Sequence, residues 1–204
     1  MSLRHRLFGP SKKEIWKQLS ERVDGQFVDG GFWKGDKVIA EHGGWALTLD
    51  TFAVSTGKVT IVYTRMRAPF VNPSGFRFEV YRKSAFSGIA KFFGMQDVEI
   101  GDSPFDEGFI VKSEDESRIR ELLSNARIRE IIASQKDVNF AVKDDEGWFG
   151  AKFPEGVDEL YFVVVGVVKD IDRLALLYEL FTETLDEMCR MGTAVDTPPD
   201  VTVK

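Results

Sequence analysis

Apolar residues recur in this chain first at helical spacing and later at every second position. A helix is predicted to begin after Ser11 and to end at Gly25, because Glu14 stands at the capping-box position three residues after Ser11. The apolar face of this helix consists of Ile15, Trp16, Leu19 and Val23. Such a face is typical of a helix that packs on a core.

Strand patterns follow the first helix. Residues 45–52 and 59–65 each show the period-two alternation of side chains that is typical of a half-buried strand. The turn at 55–57 between them predicts that the two strands form a hairpin. The alternation resumes over residues 76–81 after two prolines that interrupt the pairing. This order predicts an antiparallel arrangement.

The second half again combines helical periods with strands. A capping box at Ser113 and Glu116 predicts a helix whose apolar stripe continues to Ile132 after a kink at Asn125. The segment 160–168 is the most apolar, and its β-branched content favours a central strand buried on both faces. The other predicted elements are a short helix over 84–93, a loop-rich passage over 94–108, strands at 109–111, 138–142 and 148–153, and a final helix from Asp170 or Asp172 to Gly192.

These patterns predict an α+β fold: a mostly antiparallel sheet with helices at its start, middle and C-terminus, and a long final helix packed on the sheet. No low-complexity linker divides the chain, so we expect residues 1–192 to form a single domain. The order of elements leaves open a weak pseudo-repeat of 11–93 and 108–192. The tail, 193–204, is predicted to be mobile.

Composition narrows the classes of function. A pI near 5.1 argues against general nucleic-acid binding, which depends on a basic surface. The longest apolar run, 160–168, is too short for a membrane-spanning helix, and the basic residues 1–10 lack the apolar run of a signal peptide. The single cysteine, Cys189, excludes an intrachain disulfide. We therefore expect a cytoplasmic protein.

Charge is distributed unevenly along the chain. Residues 58–93 carry a net charge of +6, whereas residues 94–204 carry −13. The basic stretch interleaves aromatic rings with guanidinium groups, and such a surface can bind an acidic partner. The predicted binding residues are Tyr63, Arg65, Arg67, Arg77, Tyr81 and Arg82. In the alternative interpretation, these arginines pair with acids of the C-terminal half within one fold.

Signals for catalysis or metal binding are weak. His42 precedes a Gly-Gly turn without a second histidine nearby, and Cys189 lies near a helix C-terminus, where the dipole disfavours a thiolate. The acids between 97 and 107 match no EF-hand spacing, and Asp106 can instead hold backbone amides in a turn. No P-loop, dinucleotide fingerprint or nucleophile elbow is present. Neither a cofactor nor a metal is predicted.

Three alternatives stay open beside a surface that binds another protein or a second copy of the chain. An enzyme would have to use paired carboxylates, with Asp102 and Asp106 or Asp144 and Glu146 as candidates. An apolar small-molecule pocket between the final helix and the sheet is compatible with the 17 phenylalanines. Residues 1–20 form a short basic amphipathic segment that could lie on an anionic membrane.

Five motifs resemble a family of uncharacterised bacterial proteins. They are YTRMRAP at 63–69, MQDVEIGD at 95–102, FDEGFI at 105–110, KDDEGWFG at 143–150 and FPEGVDEL at 153–160. The resemblance covers most of residues 45–192 and implies no activity, cofactor or catalytic residue. The sequence therefore predicts a non-catalytic binding or protein-interaction module.

Overall fold

The computed structural model describes residues 10–31, 35–55, 57–85, 95–144 and 153–201. Its helices are α1 Lys12–Arg22, α2 Ser103–Gly108, α3 Glu116–Leu122, α4 Ala126–Ser134 and α5 Ile171–Arg190. Its strands are β1 Gln26–Val28, β2 Lys37–His42, β3 Trp45–Ser55, β4 Thr60–Val71, β5 Phe78–Arg82, β6 Gln96–Asp97, β7 Phe109–Ser113, β8 Asn139–Lys143 and β9 Val157–Val165.

The strands form one 9-stranded sheet in the order β1-β2-β3-β4-β9-β8-β5-β7-β6. Every neighbouring pair is antiparallel. The two halves of the chain meet at the centre, where β4 pairs with β9 from Tyr63↔Val165 to Val71↔Val157. The predicted α+β class with a mostly antiparallel sheet is confirmed.

Helices cover one face of the sheet. The long helix α5 lies on that face, where the ring centroid of Phe181 is 5.8 Å from that of Phe140 on β8. The Trp16 indole of α1 donates a hydrogen bond to the carbonyl of Val168 over 3.2 Å. Since these side chains are fully buried, a continuous apolar core fills the layer between helices and sheet. The packing predicted for the final helix is confirmed.

Polar caps fix where the helices begin and end. The predicted capping box of Ser11 and Glu14 is present at α1, and Asp170 caps α5. Gly192 follows α5 with φ of 71°, a left-handed conformation that glycine adopts without strain. The predicted kink at Asn125 is a complete break, because Asn125 caps the separate helix α4.

Some predicted elements differ from the structure. Asp115, and not Ser113, caps α3, because the Ser113 hydroxyl donates to the carbonyl of Arg77 instead. The passage 94–108, predicted to be loop-rich, contains β6 and α2. A short helix was predicted over 84–93. In the described part of this range the structure has a 3₁₀ turn, Lys83–Ala85. The other residues of that helix, and 148–152 of the predicted strand 148–153, lie outside the described residues.

The first part of the predicted mobile tail contacts the sheet. The amide of Val195 donates to the carbonyl of Val71 over 3.1 Å, and the Trp45 indole donates to the carbonyl of Val195 over 3.2 Å. Thr193 and Ala194 are buried. The mobility of this tail stays a prediction, which amide hydrogen exchange can test. None of the described helices is long and apolar enough to cross a membrane.

Candidate binding surface

The face of the sheet opposite the helices is polar but largely buried. Successive side chains along a strand point to opposite faces of the sheet, so every second residue of these strands faces away from the core. Cross-strand pairing places Thr48, Arg67, Tyr161, Ala141 and Glu79 in one row across five strands. All of them are buried. Buried polar side chains on a sheet face need hydrogen-bond partners, and several of these partners are other side chains of the same face.

Asp50 on β3 accepts hydrogen bonds from two arginines of β4. Arg65 is its direct cross-strand partner and binds it through two nitrogens, with Nε to Oδ1 at 2.8 Å and Nη2 to Oδ2 at 2.9 Å. Arg67 Nη2 donates to Oδ2 over 2.6 Å. The side chain of Arg67 is 0% exposed and that of Asp50 is 5% exposed. The cluster is therefore a buried ion-pair network that joins β3 to β4.

Arg65 also connects this network to the aromatic residues of the same hairpin. Its guanidinium lies 4.8 Å from the ring centroid of Phe52. Phe52 is paired with Tyr63 across the strands, and the two rings stack at 5.1 Å. Tyr63 and Arg65 thus belong to one group at the base of the protruding part of the hairpin.

Tyr81 lies on the same face of the sheet, four strands away from Asp50. Its cross-strand neighbour Asn139 donates to Glu79 Oε1 over 2.8 Å. Burial raises the pKa of Glu79, while the bond from Asn139 and the charges of Lys143 and Lys112 oppose that rise. Burial likewise raises the pKa of the Tyr81 hydroxyl. Both shifts have the same main cause, because burial disfavours the charged form of each side chain.

Arg77 and Arg82 lie away from the polar face. Arg77 Nη2 is 3.1 Å from Asp158 Oδ1, and its Nη1 is 3.0 Å from Asp144 Oδ2. Both acids belong to the C-terminal half. Arg77 therefore pairs within the fold, as the alternative interpretation of the basic stretch predicts.

Arg82 Nη2 donates to the carbonyls of Ala133 and Gln135, at the C-terminal end of α4. A cation is stabilising there because the last carbonyls of a helix carry partial negative charge. The structure therefore brings together Tyr63, Arg65 and Arg67 and separates them from the other predicted residues. The binding role of all six stays a prediction.

The end of the β3–β4 hairpin extends past both neighbouring strands. Pairing with β2 stops at Val38↔Leu49, and pairing with β9 stops at Tyr63↔Val165. Beyond these points the register of β3 and β4 pairs them only with each other among the described residues, as far as Ser55↔Thr60, apart from one hydrogen bond from the Gly166 amide to the Val62 carbonyl over 2.7 Å. Six of the eight exposed large hydrophobic residues in the described part of the chain lie at this end: Val54, Val59, Ile61, Val62, Val165 and Val167.

The carboxylates proposed for an enzyme are used in the structure as caps, turns and ion pairs. Asp102 caps α2 and pairs with Arg129 Nε at 3.0 Å. Asp106 accepts the amides of Ile100 and Gly101, which confirms its predicted role in a structural turn. Asp144 pairs with Arg77, and Glu146 lies outside the described residues.

Among the described residues, two open clefts that touch α5 are considered as binding sites. One has a volume of 390 Å³ and lies between α5, the end of α1 and the hairpin of β2 and β3, with His42 at its rim. His42 Nε2 is 2.8 Å from Asp186 Oδ1. The other cleft has a volume of 520 Å³ and lies where β9 leads into α5. No group of three or more acidic, histidine or cysteine side chains among the described residues is arranged to hold a metal ion.

Asp50 and Glu79, the acids of the polar face, were not among the predicted site residues. Asp50 and Glu79 occupy outward positions in alternating strands, where an isolated acid among β-forming residues was the available signal. The exposed end of the hairpin had a signal too, since residues 52–54 and 61–62 are apolar on both faces. A strand at the edge of a core needs only one apolar face.

Known proteins do not assign a role to this surface. No family model, no curated protein and no solved structure matches the chain. The resemblance to an uncharacterised bacterial family therefore stays a prediction.

Proposed function

We propose that this chain is a non-catalytic interaction module that associates with a second copy of itself through one side of the hairpin end. We call this side the hairpin face and define it as Phe52, Val54, Ile61, Tyr63 and Val165. Cross-strand pairing places these residues on the same side of the sheet, with Val54 opposite Ile61 and Tyr63 opposite both Phe52 and Val165. The observation that carries the proposal is the clustering of exposed aliphatic side chains at this end.

The exposure of the hairpin face supports association. Val165 is 67% exposed and Val54 is 45% exposed, although both belong to strands. Isolated exposed valines are ordinary, but a contiguous apolar patch on a protein surface is typical of an interaction site. Burial of such side chains contributes about 25 cal/mol per Å² of apolar area removed from water.

The charge of the hairpin end favours a second copy over a charged partner. Lys58 is the only charged residue between positions 52 and 63. Two copies related by a two-fold axis would place identical apolar faces in contact with little repulsion between charges. The edge of β3 that faces away from β4 near the turn, as far as the described residues extend, could also pair between copies.

The Asp50 network supports a rigid hairpin. Arg65 holds Asp50 through two parallel hydrogen bonds and covers Phe52, so the base of the hairpin face is fixed before binding. Association then costs less conformational entropy than the ordering of a flexible loop would. In this proposal Arg65 and Arg67 position the surface, and Tyr63 forms part of it.

Sedimentation velocity over a wide range of protein concentrations tests the proposal. The wild-type chain is expected to shift from monomer to dimer as its concentration rises. The double variant Val54→Lys with Ile61→Glu replaces the facing apolar pair by an opposite-charge pair, which keeps the cross-strand contact. This variant is expected to stay monomeric at concentrations where the wild type dimerises.

Val28→Lys is the matched control. Val28 is an exposed valine on the edge strand β1, two strands away from β3 and outside the hairpin face, so its replacement should leave the dimer unchanged. A wild-type chain that is monomeric at every concentration would contradict the proposal. Dimerisation that survives the double variant, or that Val28→Lys also abolishes, would contradict it as well.

A further inference from the structure

The 520 Å³ cleft beside the start of α5 combines cations with aliphatic side chains. Lys136, Lys169 and Arg173 line it together with Val165, Val167 and Leu176. Its volume lies within the range of roughly 300–1,000 Å³ that is usual for small-molecule sites. Positive charge here is unusual for a chain whose net charge is −6.

The cations of the cleft are incompletely compensated. Lys136 and Lys169 are exposed, and neither forms an ion pair with a described residue. Arg173 Nε donates to Gln135 Oε1 over 2.9 Å, but its Nη2 is buried and has no hydrogen-bond partner among the described residues. Burial lowers the pKa of Arg173 despite the nearby charges of Asp137 and Asp170. A buried guanidinium nitrogen without a partner is costly, and an anion would relieve that cost.

The acids that line the cleft are already engaged. Asp170 accepts the amides of Asp172 and Arg173, each over 3.0 Å, as the cap of α5. Asp172 pairs with Arg22 of α1, with 2.5 Å between Nη1 and Oδ1. These acids do not pair with Lys136 or Lys169, so the lysines can bind a ligand.

We propose that this cleft binds a small molecule that carries a carboxylate on an aliphatic chain. Lys136, Lys169 and Arg173 would hold the carboxylate through charge-assisted hydrogen bonds. Val165 and Val167, which are 67% and 38% exposed, would cover the chain. Exposed valines beside unpaired lysines suit an amphiphile better than a purely polar anion. The site shares Val165 with the hairpin face, but its three cations lie outside that face, so octanoate binding and dimerisation are tested by different variants.

Calorimetric titration of the full chain with octanoate tests the site. Acetate, which has the carboxylate without the long aliphatic chain, and octanol, which has the chain without the carboxylate, serve as comparison compounds. Octanoate is expected to bind, and acetate and octanol are each expected to bind about tenfold more weakly or not at all, because each lacks one of the two contacts. The variant Lys136→Gln with Lys169→Gln should weaken octanoate binding by about tenfold. These exposed replacements leave the core intact.

Lys17→Gln serves as the control, since Lys17 is an exposed lysine of α1 outside the cleft. It should bind octanoate as the wild type does. Equal binding of octanoate by the wild type and the double lysine variant would overturn the proposal. Absence of octanoate binding, or equal binding of acetate and octanoate, would overturn it too.

Discussion

Asp50 shows how one buried residue can determine the electrostatics of a sheet face. Its two carboxylate oxygens accept from Arg65 and Arg67, and the Arg67 side chain is completely buried. A guanidinium stays charged under all ordinary conditions, so a buried arginine requires an acceptor. The network therefore constrains the register of β3 against β4 at Asp50↔Arg65.

Removal of this carboxylate is expected to destabilise the fold. Asp50→Asn should lower the free energy of unfolding by about 3–5 kcal/mol, because it takes the shared negative charge from two arginines of which one is fully buried. Urea denaturation measures the change. The control Glu116→Gln removes an exposed partner of Arg120 and should have little effect. Equal free energies of unfolding for Asp50→Asn and the wild type would show that the Asp50 network does not stabilise the fold.

Glu79 is expected to make stability depend on pH. Burial raises its pKa in the folded state above the ordinary value of 4.5, so the folded protein binds this proton more tightly than the unfolded chain does. The contribution of this proton to stability is therefore complete below pH 4.5 and is lost as the pH rises through the folded-state pKa.

Glu79→Gln should accordingly stabilise the protein at neutral pH and change its stability little in acid. The amide keeps an oxygen that can accept from Asn139, whereas the charge that burial disfavours is gone. Urea denaturation of both proteins at several pH values gives the difference. A difference that stays constant across the pH range would refute this account of Glu79.

Among the structural elements, the C-terminal segment after α5 packs closely against the sheet and the β2–β3 turn. Its amide at Val195 pairs with Val71, and its backbone passes directly over Gly44. A Cβ at position 44 would lie 2.8 Å from the carbonyl carbon of Thr197 and 2.9 Å from the nitrogen of Pro198. Only glycine allows this approach, because the opposing atoms are backbone and cannot rotate away.

Gly44→Ala is expected to displace this segment without disrupting the sheet. The overlap should cost about 1–3 kcal/mol locally and speed amide hydrogen exchange at Val195, whose N–H bonds to Val71. Gly108→Ala is the matched control, because a Cβ at Gly108 has open space around it. If Val195 exchanged as fast in the wild type as in Gly44→Ala, the segment would be mobile, as the sequence predicts for the tail.

The whole molecule joins the basic and acidic parts of the chain at particular points. Arg77 of the basic stretch pairs with Asp144 and Asp158 of the acidic half. Arg65 and Arg67 pair with Asp50, an acid from the N-terminal part. Since these arginines are engaged inside the fold, the hairpin face has a surface that is apolar more than basic. This is why the proposed association rests on aliphatic contact.

Elements were more predictable than surfaces because they depend on local sequence. The cap at Ser11 and the end of α5 at Gly192 each follow from a residue and its near neighbours, and at Asn125 the sequence predicted a kink where the structure has a complete break. The short helix α2 was missed because its six residues, which contain a proline near the start, carry no helical period. The separation of Arg82 from Arg65 required the pairing order of the sheet, which no local pattern contains.

Local sequence is enough to predict the α+β class, the antiparallel hairpins and the apolar face of α5, because hydrophobic periods and caps act within a few residues. Three features emerge only in the folded chain: the pairing of Asp50 with two arginines, the extension of the hairpin end past its neighbours and the cleft shared by the lysines near α5. These features depend on contacts between residues distant in the chain, and such contacts are fixed by strand order and register.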